Sequence, residues 1–261
     1  GSSGKNTREV SLLEFEKICH RLTKKIKEDW EVIFQENNNI ELVPDAIARM
    51  EASSYQFMIL GVSISVYGSD EQMRIYSDFL VSIFELMKSR SGLIALIAVP
   101  EVILVELIYL ITITCLVRNN YKPLKILLGT MVDDPDYSDS EPLPLVKKTH
   151  IHYSRALTGS STKVNEYIRE FLKKQDWLLE FAPKIDGKTD EYQLQANYLL
   201  VMLAEHNDGR LWPDFGRYYA ERIKPFVRKI LYDKKTIKEI ANLMDVKEEE
   251  VRPKMVGYLS A

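Results

Sequence analysis

The stretch LIALIAVPEVILVELIYLITITCLV, Leu93 to Val117, decides the fold. It is apolar for long enough to cross a bilayer, and equally suited to the centre of a globular protein. Pro100, Glu101 and Glu106 separate the two readings, because each acid at bilayer depth costs about 2.5–3.5 kcal/mol on insertion scales. The stretch therefore predicts a buried core helix and no membrane partner. Pro100 belongs in its first turn, Glu101 lies beside the positive end of the helix dipole, and Val102 to Val117 is apolar all round because other helices cover it. Arg118, Asn119 and Asn120 end it, and after Pro123 a short helix carries Leu124, Ile126, Leu127 and Leu128 to Gly129.

Upstream, Ser11-Leu12-Leu13-Glu14 has the spacing of a capping box and predicts a helix start. Phe15, Ile18, Leu22, Ile26, Trp30 and Ile33 then form an apolar stripe that closes at Asn37-Asn38-Asn39. Pro44 opens a second helix, carrying Ile47, Met50 and Tyr55 to Gly68, and Asp70 starts a third with Phe79, Phe84 and Leu86. Helical periodicity recurs along nearly the whole chain, and strand alternation almost nowhere. The expected fold is all-α: an irregular multi-helix bundle, since no motif returns at a fixed period.

The 261 residues are 46% apolar and 28% charged, enough for a large core, and the net charge of −3 favours neither nucleic acid nor an anionic membrane as a partner. Cys19 and Cys115 sit far apart in apolar helices, as reduced core residues of a cytoplasmic protein would. Gly1-Ser2-Ser3-Gly4 (residues 1–4) reads as a tag remnant, so the chain is expected to be a piece of a longer protein. Residues 5–132 read as an N-terminal helical subdomain around the apolar central helix. The acidic, proline-containing run from Asp133 to Pro144 opens a connecting loop over 133–160. Residues 161–261 read as a C-terminal helical subdomain, with helices over Lys163–Phe181, Glu191–His206 and Asp214–Leu231 and a terminal pair.

Few residues suggest chemistry. Asp134-x-Asp136-x-Ser138 begins like a calcium loop, but Asp139 stands where glycine is needed and Leu145 where a bidentate glutamate would be. His150 and His152 could face one way on an extended segment, yet nothing completes a metal site. Ser160-x-x-Lys163 fits helix capping better than acyl transfer, and no phosphate-binding glycine loop is present. No catalytic, cofactor-binding or metal-binding residue is assigned, and no cofactor is expected.

Two C-terminal features bear on partners. In the stretch Leu211 to Lys235, Arg217, Arg222, Lys224, Arg228 and Lys229 alternate with aromatics, as on a nucleic-acid-binding face or on a solvated amphipathic helix whose aromatics pack inward. TIKEIANLMDVKEEEVRPKMVGYL, Thr236 to Leu259, then has the outline of a helix-turn-helix. Its second helix would offer Glu248, Glu249 and Glu250 to the DNA polyanion, and Pro253 should kink or break it. We read it as a helix-turn-helix-like cap with a protein-contact role.

Trp212-Pro213-Asp214-Phe215-Gly216-Arg217-Tyr218, preceded by the apolar Tyr198–Ala204 helix, resembles the helical C-terminal region of large bacterial multi-domain proteins associated with antiphage defence. The Pro100–Leu128 segment is similar to their apolar helix followed by a short basic turn and a leucine-rich helix. The resemblance implies a helical part that senses, scaffolds or oligomerises while catalysis lies in another domain. A protein partner or self-association is then expected, with nucleic-acid binding through residues 217–235 and the C-terminus as the alternative. An enzyme using His150 and His152 is the third class.

Within the resembling motif, Trp212 is the bulky apolar anchor, Pro213 the helix opener and Gly216 the point of close backbone approach. Trp212→Ala is expected to lower stability by about 3–5 kcal/mol, read from the shift of the urea midpoint.

Overall fold

The computed structural model describes residues 3–36, 39–87, 92–133, 142–145, 161–206 and 215–260. Among them the protein is all-α, apart from a pair of two-residue strands. Its axis is α5 (Val99–Arg118), entered from the one-turn helix α4 (Ile94–Ile97). Every α5 residue from Val99 to Val117 is buried, Glu101 and Glu106 included. Pro100 lies in the first turn, where its missing N–H leaves no carbonyl unpaired. Asn119 ends the helix in the left-handed conformation (φ 52°), a residue type that tolerates it, and its N–H returns to the carbonyls of Cys115 and Leu116. The protein itself therefore supplies the surroundings that the apolar stretch requires.

Three helices sheathe one side. α1 (Ser3–Glu36) packs on both α2 (Val43–Tyr67) and α3 (Asp70–Phe84), and α2 makes the most extensive contact with α5. α1 begins at Ser3, upstream of the expected start, because nothing between Lys5 and Val10 breaks a helix. Ser11 consequently lies inside the helix and caps nothing. The buried stripe also differs by one position: Phe15, Cys19, Ile26, Trp30 and Ile33 are covered, while Ile18 is 38% exposed. Phe15 to Ile33 spans 18 residues, about five helical turns, and Ile18 falls about 100° from Cys19 on the wheel. Tyr55 is likewise off the core face of α2, where Ser54 and Phe57 are buried. A capping box does occur, at Ser69 and Gln72 before α3: Gln72 N–H donates to Ser69 Oγ (3.2 Å) and Ser69 N–H to Gln72 Oε1 (2.9 Å).

The α2–α3 contact depends on one glycine. Tyr76 stacks on Phe57 with centroids 4.3 Å apart, and its hydroxyl donates to the Phe57 carbonyl (2.9 Å). Gly61 lies directly beneath, where a Cβ would stand 2.6 Å from Tyr76 Cζ.

After α6 (Lys122–Leu128), β1 (Met131–Val132) pairs antiparallel with β2 (Leu143–Pro144), Met131 opposite Pro144. Part of the expected connecting loop is thus tied back, and Leu145 is fully buried with its N–H on the Thr130 carbonyl (2.8 Å). Then follow α7 (Ser161–Lys173), the short α8 (Leu178–Phe181) and α9 (Thr189–His206). The helix expected over Lys163–Phe181 is broken after Lys173. Gln175 Nε2 donates back to the Phe171 carbonyl (3.1 Å), and its Oε1 accepts from Trp177 Nε1–H (2.9 Å), so that side chain caps one helix while orienting the next ring. α9 and α7 both pack on α5. The apolar cores of the two halves, from Phe15 to Val251, form one cluster.

Gly61→Ala is expected to destabilise the protein by about 1–3 kcal/mol, the range for overpacking. The loss should shrink in a Tyr76→Phe background, which removes the obstructing hydroxyl; a double-mutant cycle in urea measures the coupling.

Candidate functional site

The C-terminal unit comprises α10 (Phe215–Tyr232), α11 (Lys234–Met244) and α12 (Glu248–Ser260). Asp233 caps α11, accepting from Thr236 N–H (2.8 Å), and the Thr236 hydroxyl and N–H together hold its carboxyl below the usual range. Asp245, at φ 57°, ends α11, and Val246 N–H reaches back to the Ala241 carbonyl (3.0 Å). Lys125 of α6 fastens this corner from outside through its Nζ, which donates to the Asn242 carbonyl (2.7 Å) and to Asp245 (3.2 Å). The turn between the helices is built, with Ile240, Leu243 and Val251 buried behind it.

The second helix of the pair opens on acids. Glu248, Glu249 and Glu250 are exposed in the first turn of α12, where acids stabilise the positive helix end and repel phosphate. Pro253 does not break this helix, which runs on to Ser260. Six residues into the helix, proline's φ is already helical and the amide it removes forfeits a single bond to Glu249.

On α10, Lys224, Arg228 and Lys229 face solvent, and Ile223, Phe226, Val227 and Ile230 face inward. The aromatics divide: Phe226 packs edge-on against Tyr198 (6.3 Å), but Tyr232 is 73% exposed beneath the Arg252 guanidinium (5.3 Å), against the expected inward packing. Gly216, Arg217 and Arg222 lie on α10. Trp212, Pro213, His150, His152, Ser160 and the Asp134–Ser138 run fall outside the described residues.

Sequence reading missed a buried polar junction where α5 meets α2 and α7. Tyr167 Oη of α7 lies 2.6 Å from Glu51 Oε1 of α2 and within hydrogen-bond distance of Glu106 Oε1 of α5. A phenol has one hydrogen and cannot donate to both carboxyls. One contact needs a carboxylic acid, and Glu106 is the one fully buried. Burial, then the Glu51 charge, push its carboxyl well above the usual range, opposed only in part by Tyr167 and Lys174. Its second oxygen has no hydrogen-bond partner, which a neutral acid tolerates better than an anion. One turn along α5, Tyr109 donates to Asn197 Oδ1, Asn197 Nδ2 to Asn165 Oδ1 (3.2 Å), and Gln193 Nε2 to the Asn165 carbonyl (2.8 Å). No periodicity in the sequence links Glu51, Glu106 and Tyr167. Cys19 and Cys115 are buried thiols, both pushed up to about 12 mainly by burial, and hence protonated and unreactive at neutral pH.

The surface carries an aromatic row also unseen in the sequence. Tyr55 and Tyr67 of α2 are 44% and 72% exposed. Trp177 stands perpendicular to Tyr55 (6.1 Å, 86°), Phe181 edge-on to Trp177 (6.1 Å, 77°), and Tyr67 tilted against Phe181 (6.3 Å). Arg118 Nε fixes the far end by donating to the Phe181 carbonyl (3.0 Å), and Leu179 extends the patch. Elsewhere, a groove of about 390 Å³ lies between α1 and α3.

The Glu106 arrangement sets a pH dependence. The folded state holds a proton that the unfolded chain releases near the usual carboxylate pKa, so the stabilisation is complete below that value and is lost as pH rises through the elevated one. Above the usual carboxylate range, wild-type stability should fall as pH rises, by at most about 1.4 kcal/mol per unit, and Glu106→Gln should remove this slope. Parallel urea profiles for the two proteins would count against a shared proton. No protein-family model, curated protein or solved structure matches the chain.

Proposed function

We propose that the chain is a non-catalytic helical interaction domain, acting as scaffold, sensor or oligomerisation unit within a larger bacterial cytoplasmic protein of the antiphage-defence kind. The observation that carries this reading is the row Tyr55–Trp177–Phe181–Tyr67, exposed at its two tyrosines and half-buried at Trp177 and Phe181. Exposed tyrosines and Leu179 around half-buried Trp and Phe rings have the composition of protein contact sites, where rigid rings bury much area for little lost freedom. The Trp177 indole N–H is already bonded to Gln175, which leaves the apolar ring for a partner. The buried acids and thiols support the same reading, since packing occupies each of them.

Nucleic-acid binding is the second reading, favoured by the exposed Lys224, Arg228 and Lys229 of α10. The three exposed glutamates of α12 and the net charge of −3 weigh against it.

Sedimentation at rising concentration, with duplex DNA and RNA titrated by fluorescence anisotropy, separates the two. The interaction reading expects mass to grow with concentration, and Tyr67→Glu with Leu179→Glu to restore the monomer without lowering the melting temperature. A monomer throughout, with salt-sensitive nucleic-acid binding abolished in Arg228→Glu/Lys229→Glu, would overturn it.

A further inference from the structure

The groove between α1 and α3 is open to solvent, has an accessible lining more apolar than polar, and is rimmed by charges of both signs. From α1 come Glu16, His20, Thr23, Lys24 and Lys27, at spacings that put them along one edge of the helix. From α3 come Ile75, Asp78, Phe79 and Ser82, the same kind of row facing them.

The hydroxyls are already committed as donors. Thr23 Oγ1 donates to the Cys19 carbonyl (2.8 Å) and Ser82 Oγ to the Phe79 carbonyl (2.6 Å), so both oxygens offer a ligand only lone pairs. Asp78, whose carboxyl burial raises, adds a further acceptor, and Glu16 another. This part of the groove calls for N–H donors. Phe79, with His20 edge-on at 6.2 Å, and Ile75 supply an apolar wall that suits a ring or branched side chain. Along α1 the charge then changes sign, from Glu16 to Lys24 and Lys27 over about 16 Å. Lys24 makes a loose, solvent-exposed pair with Glu28 (3.7 Å), which a ligand carboxylate can replace. A purely cationic ligand would meet the lysines, and a purely anionic one Asp78 and Glu16. A molecule carrying both charges around an apolar body satisfies every wall.

We infer that the α1/α3 groove binds a small amino-carboxylate with an aromatic or branched apolar side chain, its ammonium at Asp78 and Thr23 and its carboxylate at Lys24 and Lys27. The volume of about 390 Å³ accommodates an aromatic amino acid or a very short peptide. The groove shares no residue with the aromatic row, so binding here is tested apart from self-association.

Three probes with the same ring and different charges test this at pH 7 by ligand-observed NMR or calorimetry: phenylalanine, phenethylamine and 3-phenylpropionate. Phenylalanine should bind saturably, with Kd on the order of 1 mM for a ligand of this size, and at least threefold more tightly than either singly charged analogue. Asp78→Asn should weaken phenylalanine and leave 3-phenylpropionate unweakened, and Lys24→Gln/Lys27→Gln should weaken phenylalanine and leave phenethylamine unweakened. These side chains are outside the core, so melting temperatures should hold and confirm that the variants are folded. Equal affinity for the three probes, no saturation by phenylalanine to about 10 mM, or variants that leave its binding unchanged would overturn the assignment.

Discussion

The burial of α5 on every side is the constraint from which the rest of the structure follows. A helix apolar around its whole circumference is stable only if neighbours exclude water from all of it. Here α2, α3, α6, α7 and α9 do so. That requirement draws helices from both halves of the sequence onto one axis and explains the single apolar cluster running from Phe15 to Val251. The pair of short strands and the buried Leu145 serve the same end, folding the chain back against the core before the second half begins.

Placing Glu106 on such a helix has an electrostatic consequence. An ionised carboxylate without water or a cation in direct contact is expensive, and the neighbouring acid Glu51 makes it more so. Holding the proton turns a liability into a hydrogen-bonded contact joining α5, α2 and α7 through Tyr167. Tyr109, Asn197, Asn165 and Gln193 continue the polar seam into α9. Polar contacts with fixed geometry define the register of helices that apolar packing alone would let slide.

Outside that core, three outer helix faces stand out among the described residues: the aromatic row on α2 and α8, the groove of α1 and α3, and the basic side of α10. They use different helices and different chemistry. The C-terminal pair shows how outline and chemistry can part. Its capped turn and buried Ile240, Leu243 and Val251 have the shape of a helix-turn-helix, while the acids of α12 belong to a helix N-terminus rather than to a reading head.

The sequence by itself determined the helical class, the buried central helix with its start at Pro100 and stop at Asn119, the openings at Pro44 and Asp70, and the reduced state of both cysteines. These follow from local rules: apolar periodicity, proline and asparagine backbone preferences, and the price of burying charge. It erred where one residue of phase matters, giving Ile18 and Tyr55 to the buried stripes and leaving out Ser54, because apolarity does not fix a helix's rotation when both neighbours on the wheel are compatible. The start of α1 and the break before α8 were lost for a related reason: Ser11 matches a cap wherever it stands, and Gln175 ends a helix only because its side chain folds back. Only tertiary structure decided the Glu51–Glu106–Tyr167 junction, the aromatic row and the α1/α3 groove. Each joins side chains from two or three helices distant along the chain, and no local pattern records which helix faces will meet.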